Sequence, residues 1–360
     1  MIKVVVVGSR GIPGIQGGVE THCEELYPRL AAMGCDVTIF RRSCYVPVGD
    51  QLTKYKGVKL INLKASKNAF GAGWYNFKAV WQAKRLNADI VHFHGIGPSI
   101  FVPFARLLGL KTVVTHHGHD YTRPKWNSFV KRMLHFGEYC STLSTELIVI
   151  SNEINKFIAR KFGRKNAHVI YNGVNIPKKT NKSDYIVSLG LEPQKYIFTL
   201  GRFVEEKGFD GLIDSFLSLK NNGYKLVIAG NEDYPNFYAY QLKRKAQEHG
   251  VVLPGFVQGK KLNELFSHAQ LFVLPSFHEG LPISLLEAMS YHLNILASDI
   301  DANLELKLPQ KCYFNTGNWD ELTEKMEQEL SVNKPVNYNL SHFNWDNVAR
   351  RTLKVYQRMK

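Results

Sequence analysis

The sequence predicts an α/β protein built from two doubly wound, Rossmann-like domains with a cleft between them. Short β-branched runs alternate with amphipathic segments along nearly the whole chain. The alternation breaks once, near the middle, at a polar stretch. And 360 residues are more than one hydrophobic core of ordinary size organises.

In the first half the expected strands are "IKVVVV", "DVTIF", "VKLINL", "DIVHFH", "KTVVTHH" and "LIVIS". They are short and mostly apolar throughout, as strands covered on both faces are. Helices are expected over 18–33, 74–86, 98–108, 125–143 and 152–162. Repeated strand–helix order gives a parallel sheet with helices on both sides. "YNGVNIPKKTNKSD" (171–184) then reads as a linker, being polar and rich in Asn, Lys, Gly and Pro. The pattern restarts with "YIFTLG", "KLVIAG", "VVLPGF", "LFVLPS" and "NILAS", with helices over 209–220, 236–249, 260–268 and 282–291. A polar stretch (332–341) precedes a last helix, "NWDNVARRTLKVYQRMK". The expected domains are 1–175 and 176–343, followed by the helix 344–360. Ligands of such sheets bind outside the carboxyl ends of the strands.

Composition narrows the class. The apolar fraction of 44% is globular, and no apolar run approaches the roughly 18 residues that span a bilayer. The apolar run of "MIKVVVVGSR" is too short for a signal segment. Cys23, Cys35, Cys44, Cys140 and Cys312 are odd in number and form no CxxC, so neither a disulfide frame nor a zinc ribbon is expected. A reducing cytoplasm is the simplest expectation. The net charge of +15 is uneven: residues 1–180 hold 26 Lys/Arg against 10 Asp/Glu, and the rest hold 20 against 21. The first half therefore favours an anionic partner, unless the charge merely solvates its surface.

Four segments carry chemistry. "GSRGIPGIQGGVETH" follows the first strand; its five glycines let the backbone approach a ligand, and the helix beginning near Gly18 points amides at the loop, which suits a phosphate. Neither GxGxxG nor a GK[ST] ending is present, which disfavours NAD and P-loop chemistry. "TLGRFVEEKGFDG" places Arg202 and Lys207 where they can neutralise a diphosphate, although such a pair in a loop is often only solvated. "HEGLPISLLEAMS" sets Glu279 before a helix and Glu287 within it. Gly280, Leu281 and Pro282 lie at the helix start, whose amides can hold a phosphate. Carboxylates suit diols because each oxygen accepts two hydrogen bonds, so one can serve a sugar and the other a ribose. The plainer reading is an acidic helix start with one edge glutamate. "VHFHGIG" and "KTVVTHHGHDY" put His92, His94, His116, His117 and His119 at two strand ends, expected to face one cleft. With no HExxH and no cysteine neighbours, no metal is expected there. Asp299-Ile300-Asp301 is DxD-like, but the string is short and common.

Together these residues resemble family four of the retaining glycosyltransferases, with the GT-B fold. The resemblance runs over nearly the whole chain. It rests on the E-x7-E signature Glu279 to Glu287 within EGLPxSLLEAM, with the glycine-rich loop, "VVTHHG", "VIYNGV", "GRFVEEKG" and "FNWDNVA" in order. "GSRGIPGIQGGVETHCEELYPRL" also resembles a subgroup described as rhamnosyltransferases. The resemblance implies an acceptor-binding first domain, a nucleotide-sugar-binding second domain and a last helix that crosses back to the first. It implies that Arg202 and Lys207 hold the diphosphate, Glu279 the donor sugar and Glu287 the ribose. Gly17 and Gly18 would close on the diphosphate and reacting centre, and His117 would sit near the acceptor. It implies no metal and no cofactor, a nucleotide-sugar donor, and a glycan or lipid-linked acceptor. "NEDYPNFYAYQLKRKAQEHG" departs from the family near its base pocket and leaves the base open.

Two further expectations follow. "FGAGWYNFKAVWQAKRL" (70–86) and "RPKWNSFVKRMLHF" (123–136) mix Trp and Phe with Lys and Arg, which suits an anionic membrane surface and a peripheral place at the inner face of the cell membrane. Equally, each can be a helix packed on its own sheet with a basic outer side. The competing functions are a GT-B-like nucleotide-sugar epimerase or a phosphorylase and, more remotely, a nucleic-acid binder. No nucleic-acid-reading module is present, so no nucleic acid is expected as partner.

Overall fold

The computed structural model describes residues 1–119, 121, 127–220, 223–233, 235–331 and 336–359. Two compact units divide the chain, one of residues 1–173 with 342–360 and the other of residues 174–341.

The first unit holds β1 (Ile2–Val7), β2 (Cys35–Arg42), β3 (Lys54–Tyr55), β4 (Val58–Leu63), β5 (Ile90–His94), β6 (Lys111–His116), β7 (Glu146–Val149) and β8 (His168–Val169). They form one sheet in the order β3-β4-β2-β1-β5-β6-β7-β8. All neighbours are parallel except β3 with β4. Val4, Val6 and Val7 have no exposed surface, which explains the unbroken valine run. Chain order reverses across β1, so a crevice opens at its carboxyl end. Right-handed crossovers put the helix Gly18–Ala32 on one face of the sheet and the helices Ala69–Arg85, Val102–Leu107 and Ser128–Thr142 on the other. The last helix, Trp345–Gln357, packs beside Gly18–Ala32. Arg29 Nε lies 2.9 Å from Asp346 Oδ1. Trp345 lies so close to Gly173 that a Cβ there would sit 2.6 Å from the indole.

The second unit holds β9 (Tyr196–Leu200), β10 (Lys225–Ala229), β11 (Leu271–Leu274), β12 (Asn294–Ser298) and β13 (Tyr313–Phe314), all parallel, in the order β10-β9-β11-β12-β13. Its switch point lies between β9 and β11. Ile197, Leu226, Val273 and Leu296 from the sheet meet Leu212, Phe216, Leu242 and Met326 from its helices in one core.

Three expectations need correction. "VVLPGF" is not a strand: only Val252 bridges to Val227, and Pro254 offers no amide to extend the ladder. The helix expected over 98–108 is a 3-10 turn, Pro98–Phe101, followed by a short α-helix. The helix expected from Trp74 begins at Ala69, because Asn68 caps it by accepting from the Gly71 amide. Glycine at 71 argues against helix by propensity, yet any Cβ there would sit 2.1 Å from Ser66 Oγ. The expected start of the helix at Lys125 lies outside the described residues.

Two glycines of this helical layer, Gly137 and Gly73, predict opposite outcomes. A Cβ on Gly137 would sit 2.1 Å from the Ile96 carbonyl oxygen, a main-chain atom that cannot swing aside. Gly137→Ala should cost about 1–3 kcal/mol. Gly73 is helical with open space at its Cβ, so Gly73→Ala should stabilise by up to about 1 kcal/mol. Melting temperatures of the two variants, measured side by side, check both signs.

Candidate functional site

At the switch point of the first unit, the loop after β1 is shaped by its glycines and by two carboxylates. Gly8 and Gly17 have φ of +102° and +147°, where side chains are disfavoured. A Cβ on Gly8 would sit 2.7 Å from the His94 carbonyl, and one on Gly17 2.1 Å from Glu20 Oε2. Glu20 is buried and accepts from the Arg10 amide at 3.0 Å, while Glu24 accepts from the Gly14 amide at 2.9 Å. Gly17 precedes the helix without a side-chain cap, and Gly18 has open space beside it.

The histidines do not share one face. Neighbours along a strand point to opposite sides, so His116 and His117 part company. His116 and His119 turn to the buried Glu138, 3.3 Å and 2.8 Å from its Oε1, while Lys161 Nζ lies 3.1 Å from Oε2. Burial opposes the charge of Glu138, but hydrogen bonds from His116, His119 and Lys161 outweigh it and hold the carboxyl well below its usual range.

On the other side, His92, His94 and His117 join a buried chain. Thr115 Oγ1 lies 2.7 Å from His92 Nε2, and the Tyr356 hydroxyl lies 2.6 Å from His92 Nδ1. The Tyr27 hydroxyl bridges His92 and His94 at 3.0 Å and 2.5 Å. His94 Nδ1 then meets His117 Nε2 at 2.8 Å. His22 stands edge-on to His117 with ring centroids 4.9 Å apart, and its Nδ1 lies 2.9 Å from Asn172 Oδ1. Burial lowers the pKa of His22 to about 4 and those of His92, His94 and His117 well below the ordinary value. All four are neutral at pH 7, so His117 is suited to exchanging hydrogen bonds with a hydroxyl rather than to pairing with an anion.

In the second unit the loops after β9 and β11 are stitched together. The Phe277 amide donates to the Glu206 carbonyl at 2.9 Å. Gly208, at φ +64°, lets the chain pass so close to the Pro275 carbonyl that a Cβ would sit 2.5 Å from it. Lys207, in the turn after β9, reaches Glu279 with Nζ 2.5 Å from Oε1. Ser276 Oγ donates to the same oxygen at 2.7 Å. Burial would raise the Glu279 pKa, but Lys207 by charge and hydrogen bond, with Ser276, brings it below the ordinary value. Arg202 Nη1 lies 3.0 Å from Asp233 Oδ2. Gly280 and Leu281 lead into the helix Ile283–Ser290, which Pro282 precedes without a side-chain cap, and half-buried Glu287 lies on that helix. Ile283 is half-buried, not in the core as Leu285, Leu286 and Met289 are.

Helix starts with and without a side-chain cap both occur, and those at Ser183, Gln258 and Ile300 are uncapped as well as those of the candidate sites. Asn68, Asn127, Ser151, Asn236, Asn318 and Asn344 each cap a helix with a side-chain oxygen. The starts at Gly17, Gly208 and Pro282, all at carboxyl ends of strands, have no such cap. An uncapped start offers its amides and the positive end of the helix dipole to an anion.

Two groups among the described residues bring enough ligand atoms together for a metal ion: His22, His94 and His117, and His116, His119 and Glu138. The Lys161 ammonium already neutralises Glu138, and the His94–His117 hydrogen bond satisfies one nitrogen of each ring. Asp299 accepts from the Thr316 amide and hydroxyl at 2.8 Å and 2.6 Å, which gives it a role in tying the loop after β12.

Sequence reasoning missed Glu20, His22, Tyr27, Asn172, Ser276 and Asp233 as partners of the candidate residues. Glu20, His22 and Ser276 adjoin the motifs and were within reach of a closer reading. Tyr27, Asn172 and Asp233 lie within segments quoted above, but their pairing with the candidate residues arises only by tertiary folding.

The chain is similar to known proteins in sequence and in fold. The profile of glycosyl transferases group 1 matches residues 181–339, and that of Glycosyltransferase Family 4 matches residues 16–177. An uncharacterized glycosyltransferase of Methanocaldococcus jannaschii is 26% identical over 392 residues, spanning 99% of this chain and 98% of its own. The Escherichia coli UDP-Gal:alpha-D-GlcNAc-diphosphoundecaprenol alpha-1,3-galactosyltransferase is 29% identical over 236 residues, spanning 61% of this chain and 60% of its own. The crystal structure of Anabaena HepE with UDP and glucose shares the fold, with a TM-score of 0.78 at 17% identity over 99% of this chain and 100% of that one.

The neutral histidines predict acid sensitivity. A group whose folded pKa is depressed stabilises the fold fully above its unfolded pKa and less as pH falls toward the folded one. For His22 that window runs from about 6.5 to about 4. Each such histidine contributes a slope of up to about 1.4 kcal/mol per pH unit within its window. Denaturant titrations should show stability falling with pH below 6.5, and His22→Phe should flatten the curve.

Proposed function

The chain is a glycosyltransferase of the GT-B class, and we propose that it transfers a sugar from a nucleotide-diphosphate donor to a hydroxyl of a glycan or lipid-linked acceptor. The galactosyltransferase relative, named for a UDP-sugar donor and a diphosphoundecaprenol-linked acceptor, supports that substrate class. The observation that carries the reading is the Lys207–Glu279 pair beside the uncapped start of Ile283–Ser290, at the second unit's switch point. Cleaving an anomeric C–O bond builds negative charge on the departing diphosphate. Arg202, Lys207 and the helix-start amides near Gly280 and Leu281 stabilise that charge. Glu279 then accepts hydrogen bonds from the sugar, and Glu287 from the ribose. Gly17 and Gly18 are assigned to the diphosphate, and neutral His117 to the acceptor and the transferred sugar.

In this reading transfer retains the anomeric configuration, and the departing phosphate takes the acceptor's proton on the front face. A kinetically competent glycosyl–enzyme ester, trapped and sequenced, would overturn that path. The transferred sugar is a hexose or deoxyhexose. The rhamnosyltransferase-like segment at 8–30 makes rhamnose the first deoxyhexose to try. The reaction needs no metal and no cofactor, so a chelator should leave its rate unchanged. The enzyme works in the cytoplasm at an anionic membrane surface and has no nucleic-acid partner. No helix among the described residues is long and apolar enough to cross a membrane.

A thermal-shift panel of UDP, GDP, dTDP and ADP and their sugars tests the donor site. A ligand at about 100 times its Kd should add about 2.7 kcal/mol to the unit that binds it. Indifference to the whole panel would undermine the assignment. With the active donor found, Lys207→Ala and Glu279→Ala should each lower kcat about 10²–10³-fold while the protein keeps its fold, checked by circular dichroism. Wild-type rates would remove both residues from the mechanism.

A further inference from the structure

The first unit carries an aromatic and basic face that neither candidate site uses. The helices Ala69–Arg85, Val102–Leu107 and Ser128–Thr142 cover the same side of the sheet, opposite Gly18–Ala32 and the last helix. They pack in a row: Trp74 stacks on Phe77, and Phe77 stacks on Phe104 of the middle helix. Gly137 brings the third helix down onto the Pro98–Phe101 turn.

Their outer sides are not polar, as a solvated helix face should be. Phe70, Trp74 and Trp81 are 83%, 49% and 50% exposed, and follow the i, i+4, i+11 line of one stripe. Phe129, Met133 and Phe136 are 70%, 42% and 55% exposed, at i, i+4 and i+7 of another. Charges on the same elements have one sign. Lys78, Lys84, Arg85, Arg106, Lys131 and Arg132 are joined by one acid, Glu138, which is buried beneath. Lys78 Nζ lies 5.2 Å from the centre of the Trp74 ring, an ammonium resting on an aromatic stem.

We infer that this three-helix face is the surface by which the enzyme lies on an anionic phospholipid bilayer. Two stripes of large apolar side chains supply the part that enters the headgroup layer, and unopposed lysines and arginines supply the attraction to it. A second copy of the same face would bring like charges together, and a nucleic-acid strand would leave the apolar stripes unburied. The inference deepens the membrane reading above and uses no residue of the donor site. Its failure would leave the nucleotide panel untouched, and failure of that panel would leave this face standing.

The test is co-sedimentation of the full chain with vesicles of phosphatidylcholine alone and of phosphatidylcholine mixed equally with phosphatidylglycerol. The protein should sediment with the mixed vesicles, stay in solution with the neutral ones, and be released by salt. Neutralising two charges, Lys131→Gln with Arg132→Gln, should weaken binding about thirtyfold. Trp74→Ala with Trp81→Ala should weaken it at low and high salt alike, because it removes the apolar contribution. The melting temperature of each variant without ligand serves as its folding control. Equal recovery with both vesicle types, no binding to either, or binding unchanged in both double variants would overturn the proposal. Self-association in sedimentation velocity that disappears with the same substitutions would overturn it in favour of a second copy.

Discussion

The ion pair between Lys207 and Glu279 organises the second unit's candidate site. Its members come from loops after two adjacent strands, so it forms only when β9 and β11 are paired and the Phe277 amide meets the Glu206 carbonyl. It places opposite charges within 2.5 Å, each side chain largely shielded from water. Such a pair is a poor source of stability, because desolvation consumes much of the attraction. It is well suited to exchange, since an arriving diphosphate can take over the lysine as sugar hydroxyls take over the glutamate. Arg202 and Asp233 repeat the arrangement beside β9 and β10. In both pairs the cation lies against a carboxylate, which under the proposed donor binding an anionic ligand would have to outcompete.

The first unit follows a different rule. Where the second unit concentrates charge, the first buries neutral imidazoles. The chain from Thr115 through His92, Tyr27 and His94 to His117 is held by the strand ends and closed by Tyr356 of the last helix. The helix Trp345–Gln357 thus reaches His117 only through intermediates, by Tyr356 on His92 and by Trp345 against His22. What the two units share is parallel topology, which sends the carboxyl end of every strand but β3, and the loop that follows it, to one edge of its sheet.

Much of this was legible in the sequence because buried parallel strands leave a strong trace. Runs such as "IKVVVV" and "LFVLPS" place themselves, and the glycine clusters mark where backbone must come close. Two-residue strands such as β3, β8 and β13 leave no periodicity to read. "VVLPGF" looked like a strand because its apolar run is strand-like, but Pro254 stops the pairing with β10 after Val252. The histidines misled for a related reason: spacing along a strand fixes the face of each, but the count of five at two strand ends suggested one site. The roles of Glu138 and Asp233 have no local mark, since they depend on partners brought near by folding.

The central claim is that Lys207 waits against Glu279 for a diphosphate. Calorimetric titration of the active nucleoside diphosphate, without sugar, into the wild type, Lys207→Met and Glu279→Gln tests it most directly. The account predicts that Lys207→Met weakens binding at least about tenfold, by loss of a charge-assisted contact worth about 1.5–3 kcal/mol. It predicts that Glu279→Gln binds the diphosphate as tightly as the wild type or more so, because the competing carboxylate charge is gone. Equal affinity in all three proteins, or weaker binding in Glu279→Gln than in Lys207→Met, would contradict it.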